Sequence, residues 1–296
     1  WNVLSPEFKL PLAHFNHPAN FNFVGIFWQD GIAGSVGFLF MNQGLIMRFM
    51  ACKSVHEGRK AAAFNVLVLL PISTVVVSNA GWVGKAISIV TPDAWNASTK
   101  LDHVFTQVAY LITGSEVVFA FVIAAVAAAL MSTVDTLINA VAAVVINDVY
   151  RPLVKEKDDK HYLKVAMIVS AGATAVGAVS TIFFNNFPTL YEAHGFFHST
   201  MTPPLVVAIF LGIFWKRYNT PAAIATFLGG ALLMAVGSKY PEIFISPFDH
   251  GIEFNPERPY SYIRALYNTL VCAGSGVLVG LMTTAPIEEK TKGLTV

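Results

Sequence analysis

Charge is scarce in this chain. Of its 296 residues only 12% are Asp, Glu, Lys or Arg, while 55% are hydrophobic; a typical soluble domain carries about 25% charged residues. So much apolar side chain has no water-soluble core to fill, and the composition describes a polytopic membrane protein with the lipid bilayer as its main partner. Cysteine is nearly absent: Cys52 and Cys272 are the two present, and they suggest neither a disulfide framework nor a metal site. A net charge of +1 gives no sign of a nucleic-acid or acidic partner. A phosphate-binding glycine loop, a paired-cysteine zinc site and a serine nucleophile elbow are all missing, so an enzyme is not expected. The opening WNVLSPEF has neither an initiator Met nor an apolar signal core, and it reads as the start of a fragment.

What the chain has in quantity is long apolar stretches. Seven of them, at 23–47, 61–83, 117–146, 163–184, 201–214, 222–237 and 263–284, read as spans against the roughly 20 residues a bilayer core requires. The fifth is short by itself, and 188–200 before it reads as a short external helix leading in. Orientation follows from Lys and Arg. Arg48, Lys53, Arg59 and Lys60 follow the first span, and Arg151, Lys155, Lys157, Lys160 and Lys164 follow the third. With Lys216, Arg217, Lys290 and Lys292, 13 of the 19 basic residues fall on one side. The positive-inside rule puts that side in the cytoplasm, with the N-terminus outside and the C-terminus inside.

The third stretch contains a contradiction. It is apolar from Val117 to Met131, and then Ser132, Thr133, Asp135, Thr136 and Asn139 fall in its middle. Positions 132, 135, 136 and 139 share one helix face. A carboxylate at mid-membrane costs roughly 2.5–3.5 kcal/mol on insertion scales, so Asp135 needs a partner or a wet cavity. Hydroxyls alone could be packing glue between helices; with the acid on the same stripe, an ion or substrate path is the better reading. In the first stretch Gly31, Gly34 and Gly37 share a face, for close helix packing or for local unwinding, with close packing favoured. Pro203 and Pro204 remove two backbone donors and should kink or delay the fifth helix; the freed carbonyls then need other protein groups or water.

Among the histidines, His14, His17 and His103 fall in external loops and His56 in a basic cytoplasmic one. His194 and His198, near Tyr191 and Glu192, have the i, i+4 spacing that can bind a metal, but no HExxH pattern accompanies them and no metal is expected there. Asn96-Ala97-Ser98 is a glycosylation sequon on the external side.

Three ordered motifs carry a family resemblance. Asn42-Gln43 with Arg48, Ala51, Lys53, Ser54, Glu57 and Lys60 resembles the NQ–QR–AAKS run of the sodium/solute symporter family. Met131-Ser132-Thr133 followed by Asn147-Asp148-Val149-Tyr150-Arg151-Pro152 resembles that family's MSS and DIYRP helix. Pro203-Pro204 through Gly212, Trp215, Lys216 and Arg217 resembles its SPP–FWKR span. The resemblance implies a leucine-transporter-like, all-α fold of two inverted five-helix repeats with extra helices. About seven transmembrane helices are then expected in one transmembrane domain fragment, 1–296. Residues 22–215 would be the second repeat and 219–284 two peripheral helices, with the first repeat missing and acting as partner.

It also implies a sodium site at the carbonyl of Ala129 and the hydroxyls of Ser132 and Thr133. Oxygen ligands of low net charge suit a hard cation. Asp135 and Thr136 are candidates for a second cation. Solute contacts match Ser35, Phe38 and Asn42 on the first span, and Phe187 and Tyr191 before the fifth. Where sugar-transporting members have a substrate-binding lysine, a glutamine and a gating tyrosine, this chain has Leu69, Tyr191 and Phe38, which counts against a sugar.

The expected function is sodium-coupled symport of a small organic solute by alternating access across the plasma or inner membrane, with the sodium ion as co-transported species. A symporter-like sensor domain and an inactive half-transporter are the alternatives. An intramembrane enzyme that uses Asp135 would need a second catalytic acid, and Asp148 lies too far along the helix to pair with it.

Overall fold

The computed structural model describes residues 1–5, 23–96, 100–154, 157–187, 189–249, 260 and 263–287; the side chains of Phe38, Phe40, Gln43, Val77, Ser78 and Leu101 are outside the description. Lys9, His14, His17, Ala97, Ser98, Lys155, Pro188, Arg258, Lys290 and Lys292 also lie outside the described residues. Among those described the chain is helical and has no strand. Among the described residues six helices are long and apolar enough to cross a membrane: Val55–Val90, Glu116–Leu153, Asp159–Phe184, Leu190–Phe214, Thr220–Lys239 and Arg264–Met282. The protein is an all-α polytopic membrane protein.

One expectation is revised. The stretch 23–47 is not one long helix: helical structure through Met41 stops at Asn42 and resumes at Gln43–Met50. Asn competes for backbone hydrogen bonds and is a poor helix former, and it stands here as the interruption. The stretch 188–200 forms a helix at Leu190–Thr200 that leads into the fifth span, as expected. Leu190–Thr200 runs into Thr202–Phe214 through the single residue Met201, and together they make one 25-residue apolar helix.

The chain forms two compact units, one of 1–9 and 43–190, the other of 10–42 and 191–296. In the first, Ser54 caps the helix that follows by accepting from the Glu57 amide at 3.2 Å, and Glu57 pairs with Lys60 at 3.1 Å. This is the Ser-x-x-Glu start signal. Gly84 lets that helix approach Val104–Thr113, since a Cβ there would lie 3.0 Å from Val108. Gly114, at φ +58°, ends Val104–Thr113 in the left-handed region. The basic turn before Asp159–Phe184 is tied by Tyr150 Oη to His161 Nε2 at 2.9 Å and by Arg151 over the Tyr162 ring at 4.6 Å. The most apolar windows of the three long helices in this unit contain no residue buried within the chain. Their surfaces call for lipid or other helices.

In the second unit Arg264–Met282 is central and packs against Thr202–Phe214 and Thr220–Lys239. Small residues set the spacing. A Cβ on Gly230 would meet Cys272 Sγ at 2.5 Å, and one on Gly280 would meet the Trp215 ring at 2.7 Å. Ile245, Tyr260, Ile263, Leu266 and Tyr267 form one apolar cluster, and Val207, Met234 and Cys272 another. The Tyr267 hydroxyl donates to the Leu233 carbonyl at 2.8 Å. Outside the spans, burial pushes the Tyr218 phenol above its ordinary pKa, and its hydroxyl donates to Thr226 Oγ1 at 2.9 Å.

The two prolines act as the sequence suggests. They stand in the first turn of Thr202–Phe214, where backbone donors have no intrahelical partner. Pro203 cannot return a hydrogen bond to the carbonyl of Ser199, four residues back. Asn268 supplies the missing donor, with Nδ2 at 2.5 Å from that carbonyl. Asn268 and Ser199 are 5% and 7% exposed, so water does not substitute. We expect Asn268→Ala to lower stability by about 1–3 kcal/mol, the cost of an unsatisfied buried acceptor. Pro203→Ala, which restores a backbone donor, should recover part of that loss in the double variant. Thermal unfolding in detergent reads both effects, and equal losses with and without Pro203 would refute the compensation.

Candidate functional site

Asp30 lies inside the apolar run GIFWQDGIAGSVG, where the insertion cost that applies to Asp135 applies equally. It sits on Phe27–Val36, a π-helical stretch of ten residues; long runs of such geometry are rare, and π-bulges are frequent at functional sites. The wider turn is completed by a side chain, with Ser35 Oγ donating to the Asp30 carbonyl, five residues back, at 2.7 Å. The carboxylate is met from another helix. The Tyr191 hydroxyl donates to Asp30 Oδ2 at 2.6 Å, the short length of a charge-assisted bond, and Gln29 Nε2 lies 3.4 Å from Oδ1.

Glycines bring the two elements together. A Cβ on Gly195 would lie 2.7 Å from Gln29 Nε2, and one on Gly34 would lie 2.6 Å from His198 Nδ1. Gln29 is 3% exposed. A Cβ on Gly37 would lie 2.5 Å from Thr202 Cγ2, so Gly34 and Gly37 serve the close packing the sequence favours. Residues 191, 194 and 198 share one helix face. His194 stacks on Tyr191, and the His194 and His198 rings are 3.8 Å apart at a tilt of 54°. One ligand atom from each of Asp30, His194 and His198 lies within 4.8 Å of the other two. A carboxylate, a phenol and two imidazoles converge, able to hold a cation or a polar solute.

Of the residues singled out for solute, Ser35 and Tyr191 therefore meet at Asp30. Asn42 is half-buried at the helix break, and the Phe38 side chain is outside the described residues. Phe187 belongs to the other unit and packs edge-on against Phe183 at 5.4 Å. Leu69 is exposed on the π-helical stretch Asn65–Leu69.

The residues singled out for sodium all stand on Glu116–Val144. Ala129, Ser132, Thr133 and Asp135 are exposed and Thr136 is half-buried. Thr133 Oγ1 donates to the Ala129 carbonyl at 3.2 Å, and Thr136 Oγ1 to the Ser132 carbonyl at 3.0 Å. The helix thus takes up both threonine protons, and the hydroxyl oxygens keep lone pairs for another partner. Asp135 has no hydrogen bond or ion pair among the described residues. Asp30 does not stand out in the sequence motifs; an acid within an apolar run is the signal that marks it.

The family model described as Sodium:solute symporter family matches residues 9–230. The osmoregulated proline transporter of Bacillus subtilis is 24% identical over 236 residues, covering 76% of this chain and 46% of that protein. The sodium/glucose cotransporter of Vibrio parahaemolyticus is 23% identical over 195 residues, 62% of this chain and 35% of that protein. The human sodium/myo-inositol cotransporter is 24% identical over 297 residues, 90% of this chain and 40% of that protein. The chain thus spans less than half the length of these relatives.

The Tyr191–Asp30 bond is open to direct measurement. A double-mutant cycle of Tyr191→Phe and Asp30→Asn, read by thermal unfolding, should give a coupling of about 1.5 kcal/mol, the low end for a bond to a charged group because Tyr191 is partly exposed. Strict additivity would show that the two side chains do not interact.

Proposed function

The chain belongs to the sodium:solute symporter family, and from that premise we propose that it is part of a transporter that couples sodium entry to uptake of a small organic solute. The observation that carries the reading is the family match over 9–230, which takes in both Asp30 and the polar stripe from Ser132 to Asn139. Named relatives act on proline, glucose and myo-inositol, so the solute class is a small polar molecule, and the departures at Leu69, Tyr191 and Phe38 turn the reading away from sugars.

Sodium would bind the Ala129 carbonyl with the Ser132 and Thr133 hydroxyls. The 3.2 Å separation of Thr133 Oγ1 from the Ala129 carbonyl supports this, since one helical turn holds two hard oxygen ligands side by side. A hard cation of this kind wants more oxygens than one turn supplies, and the rest would come from a preceding repeat. In this reading 22–215 is the second repeat, 219–284 the peripheral helices, and a first repeat of the same transporter completes the site. Solute would contact Ser35, Phe38, Asn42, Phe187 and Tyr191 and be exposed alternately to each side. Each sodium ion contributes about 2.3 kcal/mol per 100 mV of membrane potential, in addition to its concentration gradient. The charge bias of the loops supports a plasma or inner membrane location with the C-terminus in the cytoplasm.

In the full-length protein, Ser132→Ala combined with Thr133→Ala should abolish sodium dependence of solute uptake. Unchanged half-saturation by sodium would remove those hydroxyls from the site. Asp135 is proposed to help hold a second cation with Thr136, because its charge is otherwise uncompensated. Asp135→Asn keeps the shape and removes the charge, and should weaken sodium activation or lower the sodium-to-solute ratio. Normal stoichiometry and sodium affinity in that variant would leave Asp135 a structural role.

A further inference from the structure

We propose that Asp30, His194 and His198 form a binding site for a divalent transition-metal cation of the Zn2+ class, a site independent of the sodium reading. Three observations converge. The donor set is two imidazoles and one carboxylate, which suits Zn2+, Co2+ or Ni2+ far better than sodium, calcium or magnesium. One ligand atom from each residue lies within 4.8 Å of the others. Metal bonds of about 2.0–2.2 Å bring such atoms to roughly 3–4 Å, a contraction within reach of rotamer adjustment because His194 is exposed. Finally, His198 Nδ1 is buried with no hydrogen-bond partner among the described residues. A buried ring nitrogen without a donor or acceptor is uncommon in native proteins, and a metal would satisfy it.

The surroundings suit such a site. His194 and His198 are i, i+4 on one helix, and the acid comes from the π-helical stretch opposite, so three protein ligands leave one position open for water or another donor. Tyr191 holds Asp30 Oδ2 at 2.6 Å and orients the carboxylate, the part outer hydrogen-bond partners play at metal centres. Gly34 is required on geometric grounds, since a Cβ there would lie 2.6 Å from His198 Nδ1. Occupancy would join Phe27–Val36 to Leu190–Thr200, the two elements that carry Ser35 and Tyr191.

The test uses the full-length protein in detergent with Co2+ as probe, without solute or sodium gradient, so its result is separate from that for symport. Expected are ligand-field absorption bands that saturate at one Co2+ per chain and are displaced by Zn2+. His198→Gln and Asp30→Asn should each weaken Co2+ binding at least tenfold, and Tyr191→Phe about tenfold, as for other outer partners. His194→Gln alters the exposed histidine, the ligand whose loss disturbs folding least, and should also weaken binding at least tenfold. Absence of ligand-field bands in the parent protein, or unchanged affinity in His194→Gln, would overturn the proposal and leave the two imidazoles as packing.

Discussion

Polar groups placed inside apolar helices must find their partners within the protein, and this requirement organises the second compact unit. Pro203 frees the Ser199 carbonyl, and the Asn268 amide fills it. Asp30 brings a carboxylate into an apolar stretch, and the Tyr191 phenol meets it. Without these contacts each group would carry a desolvation cost of order 1–3 kcal/mol or more. Both contacts reach from one helix to another, so the same bonds that satisfy the polar groups also fix which helices are neighbours. Glycines make the approach close enough: Gly34 and Gly195 clear space for His198 and Gln29, and Gly230 for Cys272.

The stripe on Glu116–Val144 is the counterpart that its own unit leaves open. Its threonine protons are spent on carbonyls one turn back, while Ser132, Thr133 and Asp135 remain exposed. A face of hydroxyls and one acid in the middle of an apolar helix is suited to a small cation. Under the proposed function that face would hold sodium.

Much of this was legible in the sequence because it depends on local pattern. Apolar length located six of the helices, and the polar stripe was visible as residues three and four apart. The break at Asn42 was not, since a single Asn costs a helix only tenths of a kcal/mol and surrounding contacts decide the outcome. The carbonyl that Pro203 leaves free was legible, but its partner Asn268, 69 positions from Ser199, was not. The contact of Asp30 with Tyr191 spans 161 positions, and no periodicity in one sequence encodes a pairing at that separation. His194 and His198 were read correctly as an i, i+4 pair, but the third group that makes them a cluster came from the fold.

Under the proposed function sodium and solute movement are coupled. Full-length protein in sealed proteoliposomes, with an imposed inward sodium gradient, tests it directly by following labelled solute over time. Coupling predicts transient accumulation above the external concentration, which collapses when the sodium gradient is dissipated. The same uptake under an equal potassium gradient, or no uptake beyond equilibration, would contradict it.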